Sequence, residues 1–136
     1  MELAGRQDTS SAACYATAPV DRATRSIRLL RLVGSSVSSQ IRCQLECFSL
    51  ATCPTYTALS YRWGPVLSTR LIKINDISFN VRKNLWDFLD RERNMSKDGY
   101  YWIDAICIDQ SRTEERNHQI GLMREIYAMV RALRYL

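Results

Sequence analysis

Residues 41–49 alternate cleanly as far as Cys47. Ile41, Cys43, Leu45 and Cys47 fall on one side, and Arg42, Gln44 and Glu46 on the other. A period of two predicts a strand with one buried face and one in water. The preceding run, Ser26-Ile-Arg-Leu-Leu-Arg-Leu-Val33, is apolar and partly alternating, and a Gly/Ser-rich stretch separates the two runs. They predict an antiparallel pair with a loose connection. Leu71–Ile74 and Ile77–Asn80 flank Asn75-Asp76. Both turn residues tolerate positive φ, so a tight hairpin is predicted there. Between the hairpins, Tyr56-Thr-Ala-Leu-Ser60 predicts a short strand that runs into the break at Gly64-Pro65.

Helical spacing takes over at about Arg82. Leu85, Phe88 and Leu89 share one face to about Arg93, with Asn80 as a candidate N-cap. A polar loop over 94–99 leads to Tyr100-Tyr-Trp-Ile103, which predicts a buried strand. Ser111-Arg-Thr-Glu114 has the form of a capping box. The helix after it is expected to present Ile120, Met123, Ile126, Tyr127 and Val130 on one face. Val130–Leu136 fits either the end of that helix or a further strand. Residues 1–25 are rich in Ala, Ser and Thr without periodicity, so a disordered tail is expected before one domain over 26–136.

Strand, helix, strand, helix is the grammar of an α/β fold with a partly parallel sheet, to which the hairpins add antiparallel edges. Ligands of such sheets bind beyond the carboxyl ends of the parallel strands. Residues 60–65 and 104–111 are expected to meet there.

Composition narrows the function classes. A chain of 136 residues, 46% hydrophobic, is one domain's worth of packed core. No run approaches the ~20 apolar residues of a membrane helix, and the first residues have no apolar signal core. A cytoplasmic protein without membrane contact is expected. The net charge is +5, but its 19 basic and 14 acidic residues are dispersed. They read as a solvated surface, and nucleic-acid binding is not expected. Five cysteines, an odd number, read as reduced thiols. Cys43, Cys47 and Cys53 lack paired CxxC knuckles and the lone His118 is far off, so no metal site is expected.

The two strand-end segments hold the candidate chemistry. Ser60, Tyr61, Arg62, Trp63, Gly64, Cys107 and Gln110 are the candidate ligand-binding residues. Trp63 suits an aromatic wall or a core anchor. Arg62 suits a phosphate clamp, but pairing with Asp104 or Asp109 to hold the two loops is preferred. Asp104, Asp109 and Glu115 are the catalytic candidates, with loop fixing and capping as the commoner use of the aspartates. Cys107, between two isoleucines, is expected to be buried rather than nucleophilic.

Two blocks carry a family resemblance. Tyr56-Thr-Ala-Leu-Ser-Tyr-Arg-Trp-Gly-Pro65 and Trp102-Ile-Asp-Ala-Ile-Cys-Ile-Asp-Gln110 resemble the signature blocks of the fungal heterokaryon incompatibility (HET) domain. Arg28-Leu-Leu-Arg-Leu32, Asn84-Leu85, Glu115-Arg116, Gln119, Met123 and Ile126-Tyr127 are similar to the family at the expected spacing. The resemblance implies a non-self recognition and programmed cell-death module of filamentous fungi. Such a module acts by self-association or by binding other HET-domain or signalling proteins. It also implies a distant likeness to TIR domains and a flavodoxin-like sheet, Leu59–Gly64 resembling the first TIR box. No cofactor is established by it. NAD is the implied substrate of an alternative reading, a glycohydrolase in which a carboxylate stabilises an oxocarbenium-like centre. The family pattern runs on through a strand ending in Trp-Leu-Gly, which Val130–Leu136 only approximates. A C-terminally truncated sheet is therefore expected, and with it a third reading, an inactive fragment or a regulator of longer relatives.

Overall fold

A computed structural model describes residues 9–21, 23–34, 40–60, 68–95 and 99–135. The elements are α1 (Thr9–Ala16), β1 (Ser26–Val33), β2 (Arg42–Ser49), β3 (Tyr56–Ser60), β4 (Thr69–Ile74), β5 (Ile77–Arg82), α2 (Lys83–Asn94), β6 (Tyr100–Ile103), α3 (Asp104–Cys107), α4 (Thr113–Ala128) and β7 (Ala132–Tyr135). The strands form one sheet in the order β5-β4-β2-β1-β6-β3-β7.

The strand expectations hold. β1 and β2 pair antiparallel from Ser26 opposite Ser49 to Val33 opposite Arg42. Cys43 and Leu45 are buried, while Arg42, Gln44 and Glu46 face water. β4 and β5 form the tight hairpin, with Asn75 at φ 51° and Asp76 at φ 66°. Two consecutive positive φ values give a turn whose twist matches the flanking strands. The Asn75 side chain also completes β2. Its Oδ1 accepts from the Leu45 N–H at 3.0 Å, and its Nδ2 donates to the Leu45 carbonyl at 3.1 Å. Asn75→Ala therefore strains the turn and abandons two backbone groups. A loss of about 2–3 kcal/mol is expected by urea unfolding, with Asn75→Gly, which keeps the φ, losing about half of that.

The parallel half lies at the other side of the sheet. β3 runs between β6 and β7, parallel to both, with Leu59 opposite Ile103 and Arg134. Within the stretch expected to be helix end or strand, Ala132–Tyr135 thus form a strand after α4 ends. Tyr101 and Trp102 point to opposite faces, as neighbours in a strand must. The Tyr101 ring meets Phe88 of α2 edge-on at 6.0 Å, and Trp102 meets Tyr127 of α4 at 5.6 Å. The two crossover helices therefore cover opposite faces. On the α2 face, the fully buried Glu92 accepts from the Tyr101 hydroxyl at 2.7 Å and pairs with Arg134 of β7 at 3.3 Å.

Four expectations need correction. Residues 9–21 are not a disordered tail: α1 buries Cys14 and Tyr15, the turn after it buries Ala18, and Tyr15 packs edge-on against Phe79. Burial of those three side chains orders a segment that has no apolar periodicity of its own. Asn80 is not an N-cap, because strand pairing continues to Arg82 and the helix starts at Lys83. The capping box does not form. Arg112 takes the N-cap position without a side-chain bond, and Ser111 turns back onto Asp109. The inward face of α4 keeps Ile126, with Met123, Tyr127 and Val130 packed against the core, but it does not include Ile120. Glu115, Gln119, Leu122 and Ile126 are buried, and Ile120 is 52% exposed. Two polar residues can face inward because each finds a partner there, described below.

Candidate functional site

β3 and β6 are parallel and in register at Leu59 and Ile103, so the two signature blocks leave the sheet from the same end. Ser60 closes β3 opposite Tyr135. Tyr61, Arg62, Trp63 and Gly64 lie outside the described residues. The second block is described throughout. Asp104 opens α3, a single turn rather than the expected loop. Gln110 folds back and donates from Nε2 to the Asp104 carbonyl at 3.0 Å, closing the segment.

Cys107 points into the core. It is fully buried, its sulfur accepts from the Ile103 N–H at 3.4 Å, and burial pushes its thiol up to about 12. A thiol with that pKa is neutral at physiological pH and is not an activated nucleophile. Asp109 is buried as well, and its Oδ1 accepts from both the backbone N–H and the hydroxyl of Ser111. This is the local turn in which aspartates commonly serve.

The loop is fastened by a residue the sequence reading placed only in the leading strand. Arg28 of β1 is 2% exposed and forks onto Glu115, at 2.6 Å to Oε2 and 3.0 Å to Oε1. Its Nε donates to the Ala18 carbonyl at 2.6 Å, and Nη1, which also holds Glu115 Oε2, donates to the Cys107 carbonyl at 3.2 Å. Its guanidinium stacks on the Tyr15 ring at 4.7 Å. Glu115 Oε2 additionally accepts from the Asp109 N–H at 2.7 Å. Burial alone would push the Glu115 carboxyl up. The Arg28 bonds, the Asp109 N–H and the charges of Arg28 and Arg112 outweigh it and hold the carboxyl below its ordinary value. One ion pair thus joins β1, the turn after α1, the second signature block and the start of α4. Four residues on, Gln119 donates to the Ser26 carbonyl at 2.9 Å. The available signal for Arg28 was its setting: a charge among Ile27, Leu29 and Leu30, in a strand buried on both faces, must be paired.

Tyr15 completes the site. Its hydroxyl shares its one proton between the carbonyls of Ile106, at 2.7 Å, and Ile108, at 3.1 Å, and burial pushes its pKa well above the ordinary tyrosine value. It stays a donor over the whole working pH range. Tyr15→Phe is expected to cost about 1–3 kcal/mol in urea unfolding, because two buried carbonyls lose a partner. A cavity of about 210 Å³ opens beside this cluster, walled by Tyr15, Arg28, Asp109, Arg112 and Glu115. Among the described residues no group of three His, Cys, Asp or Glu side chains is placed to hold a metal ion, and no helix is long and apolar enough to cross a membrane.

The fold and site define a layered α/β domain whose strand-end segment is fastened by a buried ion pair. Residues 56–133 match the family model described as Heterokaryon incompatibility protein (HET), and the chain belongs to that family. It is 30% identical over 145 residues to Heterokaryon incompatibility protein 6, OR allele, of Neurospora crassa, across 94% of this chain and 21% of that protein. The chain thus spans about a fifth of that relative's length. No solved structure matches it.

Proposed function

We propose that this chain is a cytoplasmic HET module of non-self recognition that triggers cell death by associating with itself or with other HET-domain or signalling proteins. The observation that carries this is the use to which the second signature block is put. Trp102, Ile103, Ile106, Cys107, Ile108 and Asp109 are all buried. Glu115, one of the three candidate catalytic carboxylates, spends both oxygens on Arg28 and the Asp109 backbone. A motif built this way fixes the shape of a surface rather than presenting a reacting group. The order β6-β3-β7, with crossover helices on opposite faces, supports a flavodoxin-like, TIR-related reading of this half of the sheet.

Induced expression of the chain in a filamentous fungus is expected to arrest growth. Unimpaired growth with soluble, folded protein present would instead favour the inactive-fragment reading. The glycohydrolase alternative is tested on purified protein with NAD. No nicotinamide release is expected, dilute or concentrated, and release that depends on Asp104 would establish the enzyme instead.

A further inference from the structure

The cavity between α1 and the α3–α4 connection is walled by two kinds of surface. Ala12, Ala16, Pro19 and Val20 make one side apolar. In the polar side, Arg28 and Glu115 neutralise each other, and among the described residues Asp109, Arg112 and Glu114, which has a partner of its own, complete it. Asp109 is only 5% exposed. Its Oδ1 is taken by Ser111, and among the described residues no donor reaches Oδ2. A carboxylate oxygen left open to the cavity is stabilised by a cationic donor that enters it. Arg112 is exposed, and among the described residues no hydrogen bond or ion pair engages its guanidinium. The Arg112 N–H donates to the Asp109 carbonyl at 3.2 Å, so a tight turn holds both residues at the same wall. The two opposite charges do not pair with each other. They stand as separate anchors, one for a cation and one for an anion.

We propose that this cavity binds a small zwitterion of the size of a free α-amino acid. The ligand's ammonium sits on Asp109, its carboxylate on Arg112, and its side chain lies against Ala16, Pro19 and Val20. The volume, about 210 Å³, is below that of pockets for drug-sized ligands and suits a ligand of this size. The inference is independent of whether the module acts by association or by chemistry.

Calorimetric titration of the full chain with glycine, L-alanine, L-serine and L-valine tests it, alongside N-acetyl-L-alanine and L-alaninamide. At least one free amino acid is expected to bind saturably and raise Tm. Each blocked analogue, lacking one of the two charges, is expected to bind about tenfold more weakly or worse. Arg112→Gln, at an exposed position, should still unfold cooperatively and lose the binding. Asp109→Asn should also lose it, and Ala16→Trp should block it by filling the space. Absence of saturable binding across the panel, equal binding of the blocked analogues, or full affinity in Arg112→Gln would each overturn the proposal.

Discussion

Glu115→Ala is expected to cost about 3–5 kcal/mol, which places the variant at or near the limit of folding. The side chain removed is one half of a buried pair, and Arg28 is only 2% exposed. The guanidinium would keep the Ala18 and Cys107 carbonyls but lose the only carboxylate facing it among the described residues, and the Asp109 N–H would lose its acceptor. Urea unfolding reads the loss directly. The same pair sets an acid dependence whose sign follows from the depressed Glu115 pKa. In the unfolded chain the carboxyl titrates near its ordinary value of 4.5. The pair's contribution is therefore fully present above that value and disappears as pH falls through the lower, folded one. Wild-type stability should fall on acidification below the ordinary carboxylate range, and a variant without the pair should lack that part of the fall.

Glu92→Ala is expected to cost about 2–4 kcal/mol. The Tyr101 hydroxyl loses its acceptor within the core, and Arg134 loses the buried end of its pair. Arg134 is itself 38% exposed, so water recovers much of its share and the larger part of the loss belongs to Tyr101. Arg134 also rests on the Phe88 ring at 5.4 Å, which ties β7 to α2. Hydrogen exchange of the β7 amides should accelerate more than that of β1. Glu92→Gln, which keeps an acceptor for Tyr101, should lose about half as much stability.

What the sequence made legible was local. The alternation over 41–49 specified which side of β2 is wet, because a strand's period is set by its backbone. Asn75-Asp76 specified the hairpin, because few residues accept two positive φ values in a row. The two signature blocks were expected to meet at one end of the parallel strands, and Leu59 opposite Ile103 puts their starting points together. What escaped was the pairing of buried charges. Periodicity reports which positions are apolar, and it placed the inward face of α4 on Ile120 because Glu115 and Gln119 are polar. Their partners, Arg28 and the Ser26 carbonyl, come from a strand 87 and 93 residues away. Nothing in the local pattern of α4 points to them. α1 escaped for the same reason. Its order comes from Tyr15 reaching the Ile106 and Ile108 carbonyls rather than from its own composition. The arginine expected to hold the two loops was Arg62, which lies outside the described residues. The described fastening is made by Arg28, and Asp109 turns its side chain to Ser111.

The central claim is that Glu115 serves as the structural partner of Arg28. Urea unfolding of Glu115→Ala beside the double variant Arg28→Met with Glu115→Leu tests it most directly. Replacing both members of a buried pair by apolar side chains removes the stranded charge that a single substitution leaves behind. The double variant is predicted to recover at least half of the stability lost in Glu115→Ala. Unfolding of Glu115→Ala at the wild-type urea midpoint would contradict the claim.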